Sequence, residues 1–143
     1  MVLRLHHYSV KGWEQPKQDD FIYDLTKYDS IEELYLISDI LVTDYSSVMF
    51  DYAVLDRPIL LFTYDLEVYR DKLRGLYVDI EENKPGPMLF NSDELEEAIV
   101  NIDQTEKETG HLRKKFKEKF LQYECENSSE KIFNEVMAKK KRK

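Results

Sequence analysis

The run Ile40-Leu41-Val42-Thr43 constrains the fold more than any other stretch of the chain. It is apolar at successive positions, so a strand built from it must be covered on both faces. That happens in a parallel sheet sandwiched between helices. Other strand-like runs, Val2 to His7, Phe21 to Tyr23, Ile59 to Phe62 and Leu76 to Ile80, alternate with helical patterns. Such alternation predicts an α/β domain with a mainly parallel sheet. One helix is expected from Ser30, with Glu33 completing a capping box, through Ser38. A second runs from about Ser47 to Leu55 and is broken by Arg57-Pro58, and a third runs from Asp65 to Leu73 with Gly75 as its stop. Pro85-Gly86-Pro87 reads as a structured loop. Three charged helices follow, Asp93 to Ile102 capped by Ser92, Glu106 to Gln122, and Ser128 to Ala138.

A chain of 143 residues that is 42% hydrophobic can bury one core. Apolar runs such as Ile59 to Phe62 fall far short of the ~18–20 residues of a membrane span. No basic-then-apolar leader opens the sequence. The single cysteine, Cys125, allows no internal disulfide and fits a reducing compartment, so a cytoplasmic domain is expected. A net charge of −8 argues against broad nucleic-acid binding, which needs a cationic surface. Lys139 to Lys143 reads as a solvated helix end, with an anionic membrane or nucleic acid as the alternative.

In open α/β sheets, ligands gather at the carboxyl ends of strands, where helix N-termini hold phosphate. Thr43-Asp44-Tyr45-Ser46-Ser47 lies at such a place and presents two hydroxyls. The competing explanation is local: Asp44 or Ser46 caps the helix. Asp51, one turn beyond Ser47, suits a ribose diol, or is a solvated helix acid. His6 and His7 end the first strand on opposite faces, so at most one faces a ligand. Arg70 and Arg74 share a helix face and could meet an anion or pair with Glu67, Asp71 or Asp79. One cysteine and three scattered histidines make no zinc site, and neither a Walker loop nor a G-x-G-x-x-G pattern is present.

These signals occur in a familiar order. The stretch from Ile31 to Ser47, with Phe50-Asp51-Tyr52, Arg57-Pro58-Ile59, Tyr64-Asp65, Tyr69-Arg70-Asp71, Leu73-Arg74-Gly75 and Pro85-Gly86-Pro87, resembles the CDP-glycerol glycerophosphotransferases of teichoic-acid synthesis. Leu3-Arg4-Leu5-His6 resembles that family's strand-end histidine motif, and the likeness covers about residues 2 to 102. The resemblance implies a Rossmann-like three-layer domain, the C-terminal half of a GT-B glycosyltransferase, over residues 1–104. C-terminal helices and a basic tail would then occupy 105–143. It implies that His6 is catalytic and contacts the donor phosphates. Asp44, Ser46 and Ser47 would hold the pyrophosphate and Asp51 the ribose. Thr26, in the loop Asp24 to Lys27, would lie near the cytosine, and Arg74 would also meet CDP-glycerol.

The implied reaction moves glycerol phosphate from CDP-glycerol to a polyol phosphate acceptor and releases CMP, with no cofactor and no metal. Peripheral membrane association of the full-length enzyme, at the inner face of the cell membrane, and homo-oligomerisation would fit such a role. Family domains of this kind start one strand earlier, with a central strand that nothing here matches, and take their acceptor-side base from an N-terminal domain. The chain is therefore expected to bind donor but to turn it over weakly or not at all. Three other readings stay open. One is a GT-B sugar transferase or UDP-sugar epimerase, and another a non-catalytic nucleotide-binding fragment. The third is a receiver-like signalling domain built on Asp44, Thr63 and Lys84, which would lack the acidic pair that holds magnesium.

Overall fold

A computed structural model of the protein describes residues 1–5, 21–68, 79–124 and 127–140. Among these residues, five short strands and six helices are arranged as β1 (Val2–Leu3), β2 (Tyr23–Asp24), α1 (Ile31–Ile37), β3 (Leu41–Thr43), α2 (Val48–Ala53), β4 (Ile59–Phe62), α3 (Leu66–Val68), β5 (Met88–Leu89), α4 (Ser92–Val100), α5 (Ile102–Phe120) and α6 (Ser128–Lys140). All described pairings are parallel. β1 pairs with β2, and β3, β4 and β5 form a second sheet in that order, with Leu41 opposite Ile59 and Leu61 opposite Met88. The α/β class expected from the sequence is the observed one.

The alternation of side chains along β4 divides the interior into two layers. Ile59 and Leu61 face α1, α2 and α5 in a cluster with Tyr35, Met49, Tyr52, Ala53, Leu66, Ile80 and Phe116. Leu60 faces the other way and packs with Leu89 and Ala98, flanked by Ile40, Phe62, Leu95 and Ile102. The sheet is therefore covered on both sides, by α1, α2 and α5 on one and α4 on the other.

Among the described strands, the covered one is β4 and not the β3 expected from its apolar run. β4 has the buried centre, with Ile59, Leu60 and Leu61 almost wholly enclosed, whereas β3 lies at one side of the three-stranded sheet and Val42 is 43% exposed. Of the strand expected over Leu76 to Ile80, only Asp79 and Ile80 are among the described residues. Ile80 is buried but sits in a turn, because Asp79 accepts from the Glu81 and Glu82 amides and its carbonyl accepts from Asn83. The rest of that run, like Arg70, Asp71, Arg74 and Gly75, lies outside them. Among the described residues, the strand after β4 is β5, which follows Pro85-Gly86-Pro87 directly. The Pro87 carbonyl accepts from the Leu61 amide at 3.0 Å, and the Leu89 carbonyl accepts from Thr63 at 2.8 Å. Gly86 makes this possible, since a Cβ there would stand 1.8 Å from the Ile59 carbonyl oxygen.

Helix ends follow side-chain chemistry closely. Ser30 Oγ accepts from the Glu33 amide at 3.2 Å, as a cap should, but the Glu33 carboxylate accepts from the Tyr28 hydroxyl instead of turning back. The C-terminal carbonyls of α1 are gathered by Arg57, which donates to Tyr35, Leu36 and Ser38 at 3.3, 2.9 and 2.6 Å. A cation at the negative end of a helix is favourable. α4 is capped by Asn91, one residue before the expected Ser92, and Glu94 returns the bond to the Phe90 amide.

α5 begins at Ile102 and so runs across the boundary expected at residue 104. It folds back on the domain. Phe116 and Phe120 pack against Phe50 of α2, tilted and edge-on, with ring centroids 4.8 and 5.4 Å apart, and Phe116 is 2% exposed. Arg113, also buried, grips both oxygens of Glu106 and reaches Asp56 Oδ1 at 3.1 Å. α6, in contrast, leaves Ile132, Phe133, Val136 and Met137 exposed.

Candidate functional site

Parallel strands bring their carboxyl ends to one edge, and the predicted residues follow those ends. β3 ends at Thr43 and runs straight into Asp44, Tyr45, Ser46 and Ser47. Asp44 Oδ1 accepts from the Ser46 amide at 3.0 Å, a local turn that fixes the path of the chain. The residue at the cap position of α2 is Ser47, in a helical conformation, and it makes no side-chain capping bond. The capping explanation is therefore not what the structure has. Asp44 is spent on the preceding turn, and no capping bond occupies the Ser47 hydroxyl.

Asp51 lies in the first turn of α2 and is exposed. Its charge acts on Tyr35 of α1, whose phenol is raised from its usual range first by burial and then by Asp51. The Tyr35 hydroxyl is buried and has no hydrogen-bond partner among the described residues.

At the other pair of strand ends, Thr26 accepts from the Leu5 amide through Oγ1 at 3.1 Å, and its own amide donates to Asp24 Oδ1 at 2.9 Å. Thr26 thus joins the end of β2 to the residue just before His6. Arg4 extends to the Tyr28 carbonyl beside the same loop. His6 and Arg74 themselves lie outside the described residues.

Two residues at this edge were not singled out as ligand contacts by sequence. The Tyr45 hydroxyl donates to Asp65 Oδ1 at 2.8 Å, joining the loop after β3 to the loop after β4. Burial, and then the bond to Asp65, hold the Tyr45 phenol far above its usual range, so it stays protonated. The partners are 20 residues apart, and no local pattern links them. Thr63, the threonine of the receiver reading, is fully buried, and its hydroxyl has no partner among the described residues. No group of three or more His, Cys, Asp or Glu side chains among the described residues is placed to hold a metal.

The chain matches the family described as CDP-glycerol:poly(glycerophosphate) glycerophosphotransferase over residues 1–138. It is 43% identical over 136 residues to a teichoic acid poly(glycerol phosphate) polymerase of Bacillus subtilis (strain 168), covering 95% of this chain and 18% of that protein. It is 44% identical over 132 residues to a teichoic acid glycerol-phosphate transferase of Staphylococcus aureus (strain NCTC 8325 / PS 47), covering 92% and 33%. Among solved structures, a variant of the wall teichoic acid polymerase TagF soaked with CDPG superposes with a TM-score of 0.80 at 33% identity. The match covers 99% of this chain and 35% of that one. The chain thus spans about a third or less of the relatives it matches. With this architecture and this agreement along nearly its whole length, the protein belongs to the CDP-glycerol:poly(glycerophosphate) glycerophosphotransferase family.

Proposed function

We propose that this chain is the donor-binding part of a glycerophosphotransferase. In the reaction, the hydroxyl oxygen of a polyol phosphate chain attacks the phosphorus that carries glycerol. The bond from that phosphorus to the bridging oxygen of CMP breaks, and the acceptor's proton passes to a base. The products are a chain longer by one glycerol phosphate and free CMP. Negative charge grows on the departing phosphate, so fixed hydrogen-bond donors at that point are the expected contribution of this part.

The observation that carries the reading is the loop Asp44 to Ser47. It stands at the carboxyl end of β3 with the Ser47 hydroxyl free of a capping role and the chain path set by Asp44. Ser46 and Ser47 are assigned to the pyrophosphate, with Asp44 shaping the loop that presents them. Asp51 is assigned to the ribose, Thr26 to the neighbourhood of the cytosine, and Arg74 to the donor. His6, which follows the Leu5–Thr26 contact in sequence, is assigned to the donor phosphates as the catalytic group.

A further parallel strand between β1 and β3 would complete the sheet in the usual doubly wound order. Two separate parallel sheets and the half-exposed Val42 support that arrangement. The nucleotide-binding unit is assigned to residues 1–104 and the C-terminal helices to 105–143, with α5, which starts just before that boundary at Ile102, bracing the unit. The full-length enzyme is placed at the inner face of the cell membrane, associating peripherally. No helix among the described residues is long and apolar enough to cross a membrane. The exposed apolar side of α6 offers a surface for membrane contact or for self-association.

Calorimetric titration with CDP-glycerol, CDP and UDP tests the reading. Binding of the cytidine compounds is expected, with at least ~10-fold weaker binding in Ser47→Ala. Thermal stability should stay within about 0.5 kcal/mol, because no capping bond is lost. A preference for UDP, or no binding by the folded chain, defeats the assignment. Turnover of CDP-glycerol by the chain alone contradicts the division of labour.

A further inference from the structure

Tyr45 stands between the aspartate and the two serines of the loop, yet its side chain goes elsewhere. The ring packs at the margin of the main core, and the hydroxyl reaches Asp65 Oδ1 at 2.8 Å. Asp65 comes three residues after the end of β4, so the bond ties together the loops leaving two adjacent parallel strands. The loop Asp44 to Ser47 is therefore held in two ways. Internally, the Asp44 carboxylate takes the Ser46 amide, and externally Tyr45 anchors the loop to its neighbour.

We infer that Tyr45 and Asp65 are positioning residues for the donor pyrophosphate, acting by holding the Ser46–Ser47 segment at the height where its hydroxyls meet the phosphate oxygens. This rests on the donor-binding role proposed above. Hydrogen bonds weaken steeply with distance and angle, so a loop that drifts by less than an ångström loses much of its affinity for a compact anion. A free loop must also be ordered on binding, and a prior anchor removes that entropy loss. The anchor needs an acceptor on Asp65 rather than a charge. Asparagine can therefore replace it, whereas alanine cannot.

The test uses the 143-residue chain and titration with CDP-glycerol. Tyr45→Phe and Asp65→Ala should each weaken binding roughly tenfold, as expected for loss of a structured hydrogen bond at a charged site. The double variant should bind no more weakly than either single variant, because both remove the same bond. Asp65→Asn should keep affinity within about threefold of the parent. Thermal midpoints of all four, measured alongside, should remain within a few degrees of the parent, since only one part-buried bond is removed.

Unchanged affinity in Tyr45→Phe and Asp65→Ala overturns the inference. So does an affinity loss that only tracks a lower midpoint, which would mark a purely structural bond. Asp65→Asn as weak as Asp65→Ala also overturns it, because charge and not the anchor would then matter. Failure of the parent chain to bind CDP-glycerol defeats the donor-binding reading itself, and this inference with it.

Discussion

Of the two glycines among the described residues, Gly86 and Gly110, replacing Gly86 by alanine is expected to be by far the more damaging. A Cβ at this position would lie 1.8 Å from the Ile59 carbonyl oxygen and 2.9 Å from its carbon. Real contacts of this type are at least about 3.0 Å, so the loop or β4 must move apart by about 1.2 Å. Both partners are backbone, so no side chain can swing away to absorb the shift. The next residue, Pro87, accepts from the Leu61 amide at 3.0 Å, and Leu61 is fully buried. Opening that bond leaves a buried amide without a partner, a loss of about 1–3 kcal/mol.

Strain and loosened packing of the Pro85–Pro87 loop bring the expected total for Gly86→Ala to about 2–4 kcal/mol. In a chain of this size that lowers the midpoint by roughly 6–12 °C. The assay is urea and thermal unfolding followed by circular dichroism, with Gly110→Ala as a control. At Gly110 the new methyl meets only the Glu106 carboxylate end, at 2.5 Å. The helix-propensity gain of alanine, up to ~1 kcal/mol, opposes that displacement. Because that carboxylate is held by Arg113, Gly110→Ala should cost something, but less than Gly86→Ala, since a side chain and not backbone has to yield. A Gly86→Ala variant as stable as the parent would refute the argument that backbone contact with Ile59 is what requires glycine.

Arg57→Ala removes the donor that serves three carbonyls at the end of α1 and should destabilise by about 1.5–3 kcal/mol; unfolding midpoints in urea check this. Lysine at 57, lacking the planar fork, should recover only part of the loss. Asp56 is held below its usual pKa chiefly by its bond from Arg113, with Lys117 adding to the effect. Its folded value lies below the unfolded one, so its contribution is present at neutral pH and lost as pH falls below the ordinary 3.8. The carboxylate is 65% exposed, so the contribution should be under about 1 kcal/mol. Asp56→Asn should flatten the acid side of a stability-versus-pH curve, while keeping a residue that tolerates the positive φ of 59°. Phe116→Ala should lower stability by about 3–4 kcal/mol, because the ring is buried against Phe50 and Phe120. A loss under about 1 kcal/mol on chemical denaturation would mean that α5 is not part of the same cooperative unit.

The sequence alone determined the α/β class, most helix positions and the place of the Asp44–Ser47 loop. These depend on local matters: the runs Ile40 to Thr43 and Ile59 to Phe62, a serine three residues before a glutamate, and a proline after an arginine. The family, too, was legible in the order of these short motifs. What the sequence left undecided is long-range. It did not distinguish β3 from β4 as the covered strand, because both are apolar and burial depends on which neighbours arrive. It hid β5 behind Pro85-Gly86-Pro87, since the hydrogen bond that makes Met88–Leu89 a strand comes from Leu61, distant in the chain.

The side on which α5 packs was likewise set by Phe50 meeting Phe116 and by Asp56 meeting Arg113, 57 residues apart in the second case. At the candidate site, chain order announced two serines beside an aspartate. Tertiary structure then decided that Asp44 turns the loop, that the Ser47 hydroxyl is not a helix cap, and that Tyr45 is fastened to Asp65. Local sequence specifies which groups are offered, and only the approach of distant segments specifies which of them are already engaged.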